Sequence, residues 1–205
     1  WQSVLTSPYL KEIAEKHNAS IVFFPHAYIQ PYIELFTLPE HIKVMSHVNE
    51  SMQKLFTDAS ILVTDYSSVA FEMAVQKKPV IYYQFDEETF FSGTHNYVKG
   101  YYDYREHGFG PVVMQESELF DALKTQLEHY CLPDDNMLAR MDLAFPYQDG
   151  KNCERTYEAI IALDAPREYN FINVSLLIDY AQNASTSKIW SLAEERWQKV
   201  HVLYD

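Results

Sequence analysis

The sequence predicts an α/β fold, in which a parallel sheet is covered by helices on both faces and a helical tail follows. Three observations carry this. From residue 9 onward helical and extended segments alternate, the order that a parallel sheet with crossover helices requires. The extended runs are short and apolar, as in Ile61-Leu62-Val63-Thr64, without the polar alternation of a sheet that has one wet face. Apolar residues make up 47% and aromatics 15% of the 205 residues, enough for one core-bearing domain and incompatible with a disordered chain.

The elements follow in order. Tyr9 to His17 reads as a helix, Ser20 to Phe24 as the first strand and Ile42 to Met45 as a weaker second one. Glu50 to Thr57 is expected to be helical, Ile61 to Thr64 a buried strand, Ser67 to Gln76 the next helix and Val80 to Tyr83 the next strand. Residues 86 to 110 break the pattern. They are aromatic (Phe90, Phe91, Tyr97, Tyr101, Tyr102, Tyr104), punctuated by glycine and aperiodic, and a loop of that length inside a compact domain is usually functional. Pro111 to Met114 reads as an edge strand, and Glu116 to Tyr130 as a helix with Leu119, Leu123 and Leu127 on one face. Asp149 is placed to cap a helix running to about Leu163, so residues 1 to 164 are expected to form one domain. Residues 168 to 203 suggest two helices split near Asn183 to Ser187, either a tail or the start of a helical region.

Bulk properties narrow the function. With 16 Lys and Arg against 29 Asp and Glu the formal charge is −13, which argues against a nucleic-acid binder and requires any anionic ligand to be met by local positive charge. Cys131 and Cys153 lack paired spacing, which fits a reducing compartment and neither a disulfide framework nor a zinc site. The apolar runs, about five residues long, fall far short of the roughly 20 that span a bilayer, so the chain is expected to be soluble. It opens on Trp1 without a signal-peptide pattern, and is expected to be a piece of a longer protein.

The sharpest local signal is the strand Ile61 to Thr64 running into Asp65-Tyr66-Ser67-Ser68. Ligands of open α/β sheets bind outside the carboxyl ends of the strands, and a helix start offers unpaired N–H groups to phosphate. On the residues alone, Ser67 as a simple helix cap and Asp65 as a turn residue is the plainer reading. His26 follows the first strand and also sits at a carboxyl strand end, where an imidazole can act as base or steady a phosphate; a structural histidine is the plainer alternative. Lys151 and Arg155 stand one helical turn apart after Asp149-Gly150, either a phosphate-facing pair or an ordinary charged helix start. Lys77 and Lys78 read as solvated, and Glu72 as facing sheet or solvent. No HExxH, Walker loop, GxGxxG or DxD pattern signals a metal site or a classical nucleotide fold.

Together these segments resemble the CDP-glycerol glycerophosphotransferase family of teichoic acid and capsule polymerases. The resemblance rests on Ala59 to Val69, Phe71-Glu72, Lys77 to Tyr83, Gly108 to Pro111, and Asp149-Gly150-Lys151 with Glu154-Arg155, with His26 ahead of them. It departs in Ala27 after the histidine and in Cys153, where a small serine is usual. The resemblance implies the C-terminal, donor-binding half of a GT-B architecture of two Rossmann-like domains. It also implies a CDP-linked polyol donor, a polymer acceptor, release of CMP, and no metal or other cofactor. His26 is then the catalytic residue, Asp65, Tyr66, Ser67, Ser68, Glu72 and Gly110 line the donor, and Lys151 and Arg155 supply positive charge. An N-terminal half outside this chain would provide acceptor and membrane contacts, placing the protein in the cytoplasm at the inner face of the membrane. A GT-B glycosyltransferase using a nucleotide-sugar and a non-catalytic binding module are the alternatives.

Overall fold

The structure is a computed structural model that describes residues 1–46, 51–94, 99–164 and 179. The chain divides into two compact units, Trp1–Pro146 and Tyr147–Asp205.

The first unit opens with α1 (Gln2–Thr6) and α2 (Pro8–Lys16), separated by Ser7, whose hydroxyl accepts the Tyr9 N–H at 3.3 Å. Strand β1 (Ile21–Phe23) pairs in parallel with β2 (Ile42–Val44), and the connection between them carries a 3-10 turn at Gln30–Leu35. Then follow α3 (Met52–Asp58), β3 (Leu62–Thr64), α4 (Ala70–Ala74), β4 (Val80–Tyr83), α5 (Glu87–Thr89), a π turn at Phe90–Thr94, and α6 (Tyr104–His107). The unit ends with β5 (Val112–Val113), α7 (Glu116–Glu128) and α8 (Asp135–Ala144). Strands β3, β4 and β5 form a parallel sheet with β4 in the centre, Leu62 opposite Val80 and Tyr82 opposite Val112.

Helices cover both faces of this sheet, as the alternation of β4 shows. Ile81 and Tyr83 join Val4, Leu10 and Ile13 from α1 and α2 and Leu119, Phe120 and Leu123 from α7. Val80 and Tyr82 join Phe56, Ala70, Met73, Ala74 and Phe109 with Met137 and Met141 of α8. Successive side chains of a strand point to opposite faces, so β4 feeds two cores and has no wet side. The neighbouring strands obey the same register: Val63 and Val113 pack on the first core, Leu62 and Val112 on the second.

Several expectations are revised. Among the described residues the strands bond as a pair and a triplet, not as one sheet; Ile21 of β1 reaches the β3 side by packing on the same apolar cluster as Ile61 and Val63. The helix expected from Ser67 begins at Ala70. Local side chains delay it: the Asp65 carboxylate takes the Tyr66 N–H at 2.7 Å and the Ser67 hydroxyl the Val69 N–H at 3.4 Å. The first turn is then closed by i→i+3 bonds, as from Phe71 N–H to the Ser68 carbonyl at 3.0 Å. The 86–110 segment is not a plain loop, since α5, the π turn and α6 fall within it, the last capped by Asp103, which accepts from Arg105 and Glu106 N–H. Helices α1 and α8 were not expected; α8 is capped by Asp134, which accepts the Met137 N–H at 2.8 Å.

Lys77 and Lys78 are engaged, not merely solvated. Lys78 donates to the carbonyls of Phe56 (2.8 Å) and Thr57 (2.6 Å), satisfying the last turn of α3, and Lys77 pairs with Asp142 of α8 at 2.8 Å. In the second unit Gly150, at φ +75°, leads into α9 (Asn152–Asp164), and the Asp149 carboxylate accepts the Lys151 N–H at 3.1 Å. The two helices expected within 168–203 lie outside the described residues. No helix among the described residues is long and apolar enough to cross a membrane.

Gly110 is fixed by contact: a Cβ there would stand 1.7 Å from the Val80 carbonyl oxygen, whereas at Gly100 it would meet nothing within 4 Å. Gly110→Ala should therefore cost about 3 kcal/mol or more, because backbone must move, and Gly100→Ala should change stability by less than about 0.5 kcal/mol. Urea titrations of the two variants check this.

Candidate functional site

The carboxyl end of β3 is a braced turn. Thr64 is buried, and the chain leaves the sheet through Asp65 and Tyr66, both half-buried. The Asp65 carbonyl accepts from Gln84 Nε2 at 3.2 Å, and the Tyr66 carbonyl accepts from the Tyr104 hydroxyl at 2.9 Å. Ser67 lies next, half-buried with its hydroxyl turned back on the Val69 N–H. Ser68 is exposed, and its hydroxyl makes no hydrogen bond to the described residues.

Aromatic rings surround this turn. Tyr66 stacks on Phe90 with centroids 3.8 Å apart and planes at 14°, and takes Phe91 and Tyr104 edge-on at 5.5 and 5.9 Å. Its hydroxyl donates to Asp86 Oδ1 at 3.1 Å. Burial pushes the phenol upward and the Asp86 carboxylate pushes it further, so Tyr66 stays a neutral donor. Beside it Glu87 receives both terminal nitrogens of Arg105, at 3.2 and 2.8 Å, and Lys99 Nζ at 3.2 Å. The fork from Arg105 is the main cause of a Glu87 carboxyl held below the usual carboxylate range. Lys99 also stands 5.2 Å above the Phe91 ring.

The other expected residues belong to other elements. His26 is exposed beyond β1, in the two-stranded sheet, so it and Asp65 end strands of different hydrogen-bonded sheets. Its Nδ1 accepts the Tyr28 N–H at 3.3 Å, which assigns the proton of the neutral ring to Nε2. Glu72 is exposed on α4, and Gly110 is buried with a packing role against Val80. Lys151 and Arg155 belong to the second unit. There Arg155 grips both oxygens of Asp149 and lies 4.3 Å from the Tyr147 ring, so its charge is locally matched; Lys151 makes no ion pair among the described residues. No group of three or more His, Cys, Asp or Glu among the described residues is arranged to hold a metal ion.

Gln84, Asp86, Glu87, Tyr104 and Arg105 were absent from the expected site. Gln84 carried the signal that singled out Asp65, a polar residue directly after a buried strand, while Tyr104 lay unresolved within the aromatic 86–110 segment.

The Asp65–Ser68 turn stands at the carboxyl end of a parallel strand, where open α/β sheets place their ligand sites, and the comparison with known proteins names the enzyme family. Residues 1–162 match the family described as CDP-Glycerol:Poly(glycerophosphate) glycerophosphotransferase, and the chain belongs to this transferase family. The chain is similar to the minor teichoic acid biosynthesis protein GgaB of Bacillus subtilis, 36% identical over 80% of this chain and 17% of that protein. Two Staphylococcus aureus proteins, the teichoic acid ribitol-phosphate polymerases TarK and TarL, are 30% and 31% identical over 71% of this chain and 27% and 25% of their own lengths. The chain thus spans between 17% and 27% of these relatives.

Two outcomes follow from the geometry. Tyr66→Phe keeps the Phe90 stack and loses only the bond to Asp86, so it should cost about 0.5–1.5 kcal/mol in a denaturant titration. Asp149 is held at about 2, chiefly by the Arg155 hydrogen bonds, against an ordinary 3.8. A lowered folded-state value contributes stability above the ordinary value, lost as pH falls toward 2. In a carboxyl NMR titration, Arg155→Gln should move the Asp149 midpoint up toward the ordinary 3.8.

Proposed function

We propose that this chain forms the donor-binding portion of a glycerophosphotransferase that uses CDP-glycerol or a related CDP-polyol. It transfers polyol phosphate to a growing teichoic acid or capsule polymer. The acceptor hydroxyl attacks the phosphorus next to the polyol, a new P–O bond forms, and the bond to the bridging oxygen breaks. CMP leaves with that oxygen, and the acceptor's proton is released to solvent. The observation that carries the proposal is the braced Asp65–Ser68 turn at the carboxyl end of β3, in a chain whose residues 1–162 match this family.

On this reading Ser67 and Ser68 hold the diphosphate while Asp65, Tyr66, Glu72 and Gly110 shape the donor site. His26 steadies the transferring phosphoryl group or the departing CMP, and Lys151, with Arg155, supplies local positive charge in a chain whose net charge is −13. Diphosphate charge is balanced by side chains and backbone N–H groups, without metal or cofactor. The intact protein adds a second Rossmann-like half, completing a GT-B architecture, and works in the cytoplasm against the inner face of the cell membrane, where the polymer acceptor lies.

Calorimetry on the intact protein with CDP-glycerol, CDP-ribitol, CMP and UDP-glucose tests the reading. A CDP-polyol should bind best, and Ser68→Ala should weaken it about tenfold, the share of one hydrogen bond to a charged oxygen. Tighter binding of UDP-glucose would move the chain to the nucleotide-sugar transferases instead.

A further inference from the structure

Ser67 and Ser68 can meet a diphosphate reproducibly only if the backbone leaving β3 has one direction. Two consecutive carbonyls set it. The Asp65 carbonyl is held by Gln84, which follows β4 and is only 1% exposed; the Tyr66 carbonyl is held by the Tyr104 hydroxyl from α6. A side-chain amide buried this deeply is costly unless bonded, and its 3.2 Å bond is to the outgoing strand. Tyr104 is itself fixed: its ring meets Tyr82 and Tyr102 edge-on, each at 5.2 Å, and Asp103 caps the short helix that carries it.

Both bonds end on backbone, not on any group that faces solvent, so neither side chain needs to touch a ligand. The Asp65 carboxylate takes the Tyr66 N–H from within the turn, so both peptide groups flanking Tyr66 are pinned. We infer that Gln84 and Tyr104 are positioning residues for the donor: by clamping the carbonyls of Asp65 and Tyr66 they fix where Ser67 and Ser68 present their hydroxyls. This rests on the donor-binding reading of the Asp65–Ser68 turn.

The test is a double-mutant cycle on the intact protein, titrated with CDP-glycerol. Tyr104→Phe removes one hydroxyl and keeps every ring contact, and should weaken binding about fivefold. In a background carrying both Ser67→Ala and Ser68→Ala that loss should largely vanish, because the clamp acts through these two serines. Asp134→Ala is the comparator. It removes the α8 cap that accepts the Met137 N–H at 2.8 Å, and should lower the melting temperature with donor affinity unchanged. Unchanged affinity in Tyr104→Phe beside a weakened Ser68→Ala would overturn the inference, as would losses that simply add. If Ser68→Ala itself binds normally, the donor reading fails and this inference with it. Should Tyr104→Phe not fold, Gln84→Met carries the same cycle through the other clamp.

Discussion

A strand of four residues with no side chain in water organises the first unit. Val80, Ile81 and Tyr82 are fully buried and Tyr83 nearly so; β4 bonds to a parallel neighbour on each edge and sends alternate side chains into two separate cores. Such a strand needs helices on both faces, which α1, α2 and α7 supply on one side and α3, α4 and α8 on the other. It also needs its flanks close. Gly110 lets the next segment lie against the Val80 carbonyl, and Lys78 ties the end of α3 to the segment entering the strand.

The same constraint shapes the candidate site. A parallel sheet brings the carboxyl ends of its strands to one edge, where the backbone must turn while still partly buried. Polar groups there need partners, and they find them in one another: Gln84 at the end of β4 serves the end of β3, and the Tyr104 hydroxyl serves the next carbonyl. The rings of Tyr66, Phe90, Phe91 and Tyr104 shield this network from water, where its hydrogen bonds would be weaker. Ser68 stands at its edge with an exposed hydroxyl, a braced backbone behind an available donor.

The strands were legible because their signal is local: four β-branched or aromatic residues between Pro79 and the polar Gln84 set Val80–Tyr83 to the residue. Helix α7 was legible from the spacing of Leu119 and Leu123. The short helices of the 86–110 segment were not, since three or four residues cannot establish a period. The start of α4 was misplaced because Asp65 and Ser67 spend their side chains on local N–H groups, a competition that propensity does not rank. At the candidate site, the strand end singled out the turn Asp65 to Ser68, but its supports could not be read. Gln84 and Tyr104 come from 19 and 38 residues further along the chain, and only packing reveals whom they serve.

The most direct measurement is a crystal structure of the intact protein with CDP-glycerol. The account predicts diphosphate oxygens within hydrogen-bonding distance of Ser67 and Ser68, at the carboxyl end of β3, with the carbonyls of Asp65 and Tyr66 still held by Gln84 and Tyr104. A diphosphate seated away from that turn would contradict it.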